Sequence, residues 1–386
     1  MILRAAPTLL SGFTDARRAS VRPADARPDG FDALYDDDTL FFDSFRAANG
    51  EVVLLGPPLH DLGSRLGEMR TSTNRPEVRE FDRHRQLRFE RGEVGGDEVV
   101  LESGLGRITV GIQPDESMRF AGRRVLFTLS RDNPLPWVLD WVRFHRDVHG
   151  ADAVLFYDNA STIYSPEELE AAIAGLDGIR SVVVVPWPYK YGPQGFDAVR
   201  YWDSDYCQLG AWEHARWRFL SRAASALNGD VDELVLAPKP GVFAIAERSP
   251  LGIARYVGRW VVDPAPPGPG PELPEDRRHT HYSVVLRRRW TKGSLGPVPL
   301  PVDGERCRPK WTVVPSKVPA TAQWGVHRII GWRSSHVSLP GLSFRHYRPL
   351  STGWKYDRED GGVFDAARHE RDERLLRAYD RVRWDL

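Results

Sequence analysis

The stretch RRVLFTLSRDNPLPWVLDWVRFHRDVHGADAVLFYDNAST, residues 123–162, decides the fold of this chain. It begins with an apolar run that ends in the polar residues 131–133. Pro134 and Gly150 then bound a segment of helical periodicity, since proline favours the start of a helix and glycine the residue after its end. A second apolar run follows and ends in the polar residues 158–162. The pattern predicts a strand, a helix and a strand, with a polar loop after each strand.

The residues that follow repeat this alternation. SPEELEAAIAGLDG, residues 165–178, predicts a helix with a serine cap, and RSVVVVPWP, residues 180–188, predicts a third strand. A long amphipathic helix over 201–225 then leads to the next strand. Alternating strands and helices predict a parallel sheet with crossover helices, and such a sheet collects its ligands at the carboxyl ends of its strands.

The next strand ends in NGDVDELVL, residues 228–236, which sets Asp230, Asp232 and Glu233 between apolar residues. Three carboxylates this close together repel one another unless water or a cation compensates them. Residues at i and i+2 of an extended chain point to the same side, so Asp230 and Asp232 could share one divalent cation. A solvated acidic turn, a helix cap and ion pairs with nearby arginines are the alternatives.

Residues 1–120 have a different pattern. Short strand-like runs separated by turn residues predict a small β-rich domain here, and residues 121–386 are expected to form the α/β domain. Residues 263–276 are rich in proline and predict a surface loop, either a lid over a site or a mere insertion. The last residues of the chain predict a helix that packs on the body or touches a membrane or a partner.

Composition argues against some classes of function. Lys plus Arg equals Asp plus Glu at 53 each, and a net charge of zero does not suit a general nucleic-acid binder. The two cysteines are far apart, which argues against a disulfide framework or a zinc knuckle. Because no signal peptide and no apolar run of about 18 residues is recognisable, we expect a cytoplasmic protein that could contact the inner face of the membrane peripherally.

Four segments resemble bacterial glycosyltransferases of the family 2-like and family 92-like groups. Residues 130–162 are similar to their opening, in which an Asn-containing loop, a Trp helix and a strand ending in Tyr-Asp-Asn-x-Ser follow one another. NGDVDELV resembles their Asp-x-Asp-Glu-Phe segment. Residues 308–331 and 343–358 resemble their Lys-x-Ile-Val-Arg-Pro, Val-His and His-Tyr-Arg motifs. SRDN stands where Lys-Asn-Glu is common, and Pro315 lacks the preceding Arg.

The resemblance implies a GT-A fold, which is α/β and Rossmann-like, with a mostly parallel sheet and crossover helices. It also implies a nucleotide-sugar donor, a glycan or glycolipid acceptor, and Mn²⁺ or Mg²⁺. Carried over residue by residue, Asp230, Asp232 and His327 would hold a cation that bridges the donor's diphosphate. The residues that would contact the nucleotide-sugar are Asn133, Asp158, Asn159, Lys310, Arg348 and Lys355. Transfer would invert the sugar and serve the synthesis of a cell-surface polysaccharide.

An inverting transferase also needs a general base for the acceptor hydroxyl. Glu233 is the first candidate because it adjoins the proposed metal ligands, and Asp263 and Glu272 beside the proline-rich loop are others. Four residues could line the acceptor side: Trp212, Glu213, His214 and Trp260.

Plainer interpretations and other functions stay open. His327 lies among apolar residues and could be a core histidine, and residues 346–348 could be a hydrogen-bonding cluster at a strand end. A metal-dependent phosphohydrolase could use Asp230 as nucleophile and Asp232 as acid/base, although such enzymes usually carry this motif on their first strand. A non-catalytic carbohydrate-binding protein would use the 13 Trp and 12 Tyr but would not need paired carboxylates.

Overall fold

The computed structural model describes residues 1–193, 203–264, 276–295, 298–332, 338–352 and 362–384. For residues 293–295 and 298–302 it describes the backbone alone. Lys355 and Glu272, two of the predicted site residues, therefore lie outside the described residues. Most of the proline-rich segment also lies outside them.

The secondary structure of the described residues alternates as predicted after residue 123. The helices are α1 (Phe31–Leu34), α2 (Leu62–Leu66), α3 (Leu135–His149), α4 (Pro166–Ala174), α5 (Tyr206–His214), α6 (Val242–Arg248) and α7 (Glu373–Tyr379). The strands are β1 (Thr8–Leu9), β2 (Thr39–Phe41), β3 (Asp43–Arg46), β4 (Val52–Gly56), β5 (Glu77–Glu80), β6 (Arg85–Phe89), β7 (Glu98–Ser103), β8 (Gly106–Gly111), β9 (Arg124–Ser130), β10 (Ala153–Asp158), β11 (Ser181–Pro186), β12 (Ser225–Asn228), β13 (Glu233–Leu236), β14 (Ile253–Val262), β15 (Val284–Leu286), β16 (Trp290–Leu295), β17 (Val298–Asp303), β18 (Arg306–Val313), β19 (Gln323–Trp324), β20 (Ile329–Ile330), β21 (Ser343–Tyr347) and β22 (His369–Arg371). A π-helix over Ala215–Leu220 continues α5. Within these ranges no helix combines the length and the apolar character that a bilayer crossing requires.

A ten-stranded sheet forms the centre of the described structure. Its strands follow the order β11-β10-β9-β12-β18-β14-β15-β22, and β21 connects β14 to β13. The first four are parallel neighbours, whereas β18 runs antiparallel to both β12 and β14. The sheet is mixed, which corrects the expectation of a mostly parallel sheet. After β12 most neighbouring strands run in opposite directions, and only β14 and β21 pair in parallel among the described strands of this half of the sheet.

The predicted strand, helix and strand of residues 123–162 are confirmed. All six residues of β10 are buried, as expected for a parallel strand that is covered on both faces. α3 buries Val138 and Trp141 in the main hydrophobic cluster and ends at Gly150, whose φ is 76°. α4 begins with a reciprocal cap, because Ser165 Oγ accepts the N–H of Glu168 and the Glu168 carboxylate accepts the N–H of Ser165.

The N-terminal residues form a β-rich region that packs on the central sheet. β3, β4, β6 and β5 make a four-stranded antiparallel sheet, and β7 pairs with β8. Ring centroids of Phe42 lie 5.6 Å from Trp187 and 4.7 Å from Tyr189. Buried Arg218 donates to Asp43 at 2.7 Å. One hydrophobic cluster therefore contains residues from both sides of position 120.

His149, at the end of α3, connects this helix to the elements that follow the acidic turn. Its Nε2–H donates to the carbonyl of Val235 at 2.6 Å, and its Nδ1 accepts the N–H of Val242 at 3.3 Å. The second bond needs the neutral imidazole, since a protonated Nδ1 cannot accept. Burial lowers the pKa of His149 to about 4. The neutral side chain is thus part of the folded state.

We expect His149 to make the protein less stable in mildly acidic solution. The unfolded chain binds a proton near the ordinary pKa of 6.5, whereas folded His149 binds one only near 4. Its stabilising contribution is therefore complete above pH 6.5 and decreases as the pH falls towards 4. Between pH 7 and pH 5 the loss is about 2 kcal/mol. In urea unfolding, His149→Leu should show a pH dependence smaller by that amount, and an unchanged dependence would contradict the assignment.

Candidate functional site

The order of the parallel strands indicates where a ligand should bind. Along the sheet β11, β10 and β9 lie in reverse chain order, and β12 lies on the other side of β9. Such a change is a topological switch point, and ligands of open α/β sheets bind outside the carboxyl ends of the strands at this point. The loop after β9 contains residues 131–133, and the loop after β12 is the acidic turn, residues 229–232. Both contain predicted site residues.

The loops after β9 and β10 hold each other in place. Asp132 Oδ1 accepts the backbone N–H of Thr162 at 2.6 Å, and the N–H of Asp132 donates to Ser161 Oγ at 2.9 Å. Asp132 and Ala160 have φ values of 53° and 57°, a region that costs energy for residues with a Cβ and is common at binding sites. Asn133 Nδ2 donates to Ser130 Oγ at 2.7 Å. These two loops, which form the rim of the candidate site, are therefore already ordered without a ligand.

Asp158 and Asn159 at the end of β10 are both buried. Asn159 uses its two amide hydrogens on the carbonyls of Trp187 and Tyr189, at 2.7 and 2.9 Å. It therefore fixes the chain that leaves β11. Asp158 Oδ1 accepts the N–H of Ser161 at 3.3 Å, and burial raises the pKa of Asp158.

The acidic turn closes on itself. The N–H of Glu233 donates to the carbonyl of Asp230 at 3.0 Å, and the N–H of Asp230 donates to Glu233 Oε2 at 3.1 Å. The carbonyl of Asp232 accepts the N–H of Tyr347 at 2.9 Å, which joins the turn to the end of β21. These bonds direct the Glu233 carboxylate inward, although a continued strand would have pointed it away from Asp232.

Lys310 on β18 compensates two of the three carboxylates. Its Nζ lies 2.9 Å from Asp230 Oδ2 and 3.1 Å from Glu233 Oε2, and the residue is only 1 % exposed. Burial opposes the charged form of Lys310, but the two carboxylates outweigh it and raise its pKa. Burial raises the pKa of Glu233 to about 7, although the ammonium acts in the opposite direction. The Lys310 ammonium thus compensates the negative charge on the buried side of the acidic turn.

His346 on β21 lies against the third carboxylate. Its Nε2 lies 3.1 Å from Asp232 Oδ2, and its Nδ1 lies 3.6 Å from Glu233 Oε1. The ring stacks on Trp260 with centroids 4.4 Å apart and an angle of 27°. Arg348 Cζ lies 4.8 Å from the centroid of the same indole. Trp260 and Arg348, predicted for different roles, are therefore neighbours at this cluster.

His346 had not been predicted as a site residue. The sequence presents it within the His-Tyr-Arg motif, which was interpreted either as part of the resemblance or as a strand-end cluster. Only the pairing of β21 with β13, in which His346 lies opposite Glu233, brings it to the acidic turn.

His327 is held as a neutral imidazole near the same charges. Its Nδ1–H donates to the carbonyl of Pro309 at 3.2 Å. Burial, and secondly the charge of Lys310, lowers the pKa of His327 to about 3. Because Nδ1 carries the hydrogen, Nε2 carries the lone pair, which is the arrangement found in metal-binding histidines.

Three of the predicted acceptor residues are not at this surface. Trp212, Glu213 and His214 on α5 are at most 1 % exposed. Glu213 accepts the N–H of Trp324 at 2.6 Å, and His214 bonds to the hydroxyl of Tyr157 at 3.0 Å. They do not line an acceptor surface, because α5 is covered on all sides by the sheet and the N-terminal region. The polar atoms of Glu213 and His214 have structural partners instead.

The carboxylates of Asp230 and Asp232 fit a cation that is shared with a ligand. Their side chains are 35 % and 13 % exposed, and hard oxygen ligands suit Mg²⁺ and Mn²⁺. Among the described residues no three His, Cys, Asp or Glu side chains converge as a metal-binding group. In proteins Mg²⁺ is commonly held by one or two carboxylates together with phosphates and water.

Comparison with known families and curated proteins assigns this chain to no family. A scan against models of protein families gives no match for this chain, and a search among curated proteins finds no relative. The function is therefore inferred from the motifs and from the geometry of the acidic turn and its partners.

We expect Lys310→Met to destabilise the protein strongly. Removing the ammonium leaves Glu233 buried beside Asp230 without its compensating charge, and breaking a buried pair in this way costs about 3–5 kcal/mol. Chemical unfolding would measure the loss. Lys317→Met, an exposed lysine after the same strand, is the matched control and should change stability by less than about 1 kcal/mol.

The double variant Lys310→Met with Glu233→Gln separates the charge from packing. Once both charges are removed, the free energy of unfolding should recover partly towards the wild-type value. A double variant that is less stable than Lys310→Met alone would show that the ion pair is not what Lys310 contributes.

Proposed function

We propose that this protein is a glycosyltransferase that moves a sugar from a nucleotide-sugar donor to a glycan or glycolipid acceptor. One observation carries the proposal. The Asp-x-Asp-Glu turn leaves β12 at the topological switch point, and its carboxylates are oriented by Lys310 and His346. Geometry and motif thus indicate the same edge of the sheet, independently of each other.

The loops after β9 and β10 would bind the nucleoside. Asn133 offers a hydrogen-bonding group at the rim. The buried Asp158 shapes the loop after β10 by accepting the N–H of Ser161, and Asn159 keeps the neighbouring chain in position through its two carbonyl contacts. The diphosphate would then extend across the switch point towards Asp230 and Asp232. Because the loops already bond to each other, little ordering is needed when the donor binds.

Asp230 and Asp232 would hold Mn²⁺ or Mg²⁺ together with the diphosphate, with His327 as a further ligand. When bound, the cation would neutralise the charge that develops on the leaving diphosphate. The protein's own contribution is orientation, since Lys310 holds Asp230 and His346 holds Asp232 before the donor arrives. Arg348 adds positive charge beside Trp260.

The acceptor would bind at Trp260. This half-buried indole adjoins His346 and is the one predicted acceptor residue near the acidic turn. Glu233 does not suit the role of general base, because it is 2 % exposed and its carboxylate contacts Lys310 and His346. It acts as a positioning residue. Asp263, just after β14, is the predicted base that lies within the described residues. The product would be a cell-surface polysaccharide, formed with inversion.

A thermal-shift screen of UDP, GDP, CMP and dTDP, with and without Mn²⁺, tests the proposal. We expect one nucleotide to stabilise the protein only when Mn²⁺ is present. A ligand at 100 times its Kd stabilises the folded state by about 2.7 kcal/mol, which corresponds to a melting temperature higher by several degrees. Asp232→Asn should lose this shift because it removes a cation ligand.

Asp29→Asn, at an exposed N-terminal aspartate, is the control and should keep the full shift. Stabilisation by no nucleotide, or an equal shift in Asp232→Asn, would contradict the proposal. Release of inorganic phosphate from an aryl phosphate by the wild type and not by Asp230→Asn would favour the phosphohydrolase.

A further inference from the structure

An edge of the protein close to the candidate site is both basic and apolar. We define the basic edge as residues 287–292, 303–308 and 362–371. Within it, eight basic side chains are exposed and four acidic residues accompany them, a formal net charge of +4 in a chain whose total is zero. The basic side chains are Arg287, Arg288, Arg289, Lys292, Arg306, Arg308, Arg368 and Arg371. The acidic residues are Asp303, Glu305, Asp365 and Glu370.

Three large apolar side chains are exposed on the same edge. Trp290, Val363 and Phe364 are 61 %, 64 % and 37 % exposed. Their segments lie side by side, because the N–H of Arg287 donates to the carbonyl of Arg368 at 2.7 Å and the pairing of β15 with β22 continues up to this point. Exposed Trp and Phe beside Arg and Lys are typical of surfaces that lie in a lipid headgroup region.

Part of the basic edge belongs to a ladder that is separate from the central sheet. β16 and β17 pair with each other as a two-stranded ribbon and form no ladder with another described strand.

We propose that the basic edge docks this protein on the surface of an anionic lipid bilayer. The arginines and Lys292 would pair with lipid headgroups, and Trp290, Val363 and Phe364 would enter the interface. The ion pairs within the edge do not prevent this, since Arg288 and Arg289 stay 59 % and 73 % exposed beside Asp303 and Glu305. Ion pairs between side chains as exposed as these contribute little free energy, so the arginines can exchange a carboxylate for a lipid headgroup at little cost.

Docking there would bring the candidate site close to the membrane. β18 begins at Arg306 and reaches Lys310 four residues later, a distance of about 13 Å along an extended strand. Arg259, next to Trp260 on β14, donates to the carbonyl of Leu286 at 2.6 Å, directly before the edge. The acceptor would therefore be a lipid-linked glycan. This assignment rests on the proposed transferase function, whereas the docking does not.

Vesicle sedimentation tests the docking with the full chain. We expect binding to vesicles of phosphatidylcholine with phosphatidylglycerol, none to phosphatidylcholine alone, and weaker binding as salt shortens the Debye length. Each basic residue near an anionic surface contributes about a fivefold factor. The triple variant Arg288→Glu, Arg289→Glu, Lys292→Glu should therefore bind at least about 100-fold more weakly.

A matched triple variant, Arg65→Glu, Arg75→Glu, Arg107→Glu, changes three exposed arginines of the N-terminal region and should bind as the wild type does. Equal loss in both triple variants would show that only net charge matters and would overturn the proposal. Absence of binding to anionic vesicles at low salt would overturn it as well, as would a preference for a soluble acidic polysaccharide over the vesicles.

A label at Trp290 tests the apolar part. Both native cysteines are buried, so an environment-sensitive fluorophore would react selectively with Trp290→Cys. Its emission should shift to the blue on anionic vesicles, whereas a label at Met118→Cys, also exposed at 67 %, should not respond. No shift at position 290 would contradict insertion. The edge triple variant should keep any nucleotide-dependent thermal shift, so a failed docking and a failed transferase assignment give different results.

Discussion

The structure around the candidate site depends on the ion pair between Lys310 and Glu233. Both groups are almost completely buried, and neither charge is stable there without the other. The same ammonium contacts Asp230, so one side chain compensates the inner half of an acidic turn that would otherwise repel itself. His346 completes the arrangement on Asp232. The turn can therefore lie at the end of a buried strand with its carboxylates in defined positions.

The mixed sheet is what makes this arrangement possible. β12 supplies the acidic turn, while Lys310 and His346 arrive on β18 and β21, from the second half of the sheet. Had the sheet continued as parallel strands with crossover helices, helices would have followed β12 in place of these strands. The antiparallel half thus brings a cation and an imidazole to the carboxyl end of a parallel strand, where ligands of such sheets bind.

Local patterns allowed the sequence to predict β9, α3, β10, α4 and β11, because their apolar periodicity and capping residues act over a few neighbours. The acidic turn and its rim position could also be predicted. The partners of the carboxylates could not be assigned, since Lys310 and His346 lie 77 and 113 residues after Glu233 in the chain and meet it only through strand pairing. The predicted acceptor role of Trp212, Glu213 and His214 is wrong because helical periodicity does not reveal that every residue of α5 is buried.

We propose that the acidic turn and the loops after β9 and β10 form one binding site for a nucleotide diphosphate and a divalent cation. A crystal structure with Mn²⁺ and the nucleotide that stabilises the protein tests it most directly. The anomalous signal of manganese should lie on the carboxylates of Asp230 and Asp232, with the diphosphate at the switch point and the nucleoside near Asp158. Manganese bound elsewhere, or a nucleotide bound away from this edge of the sheet, would contradict the account.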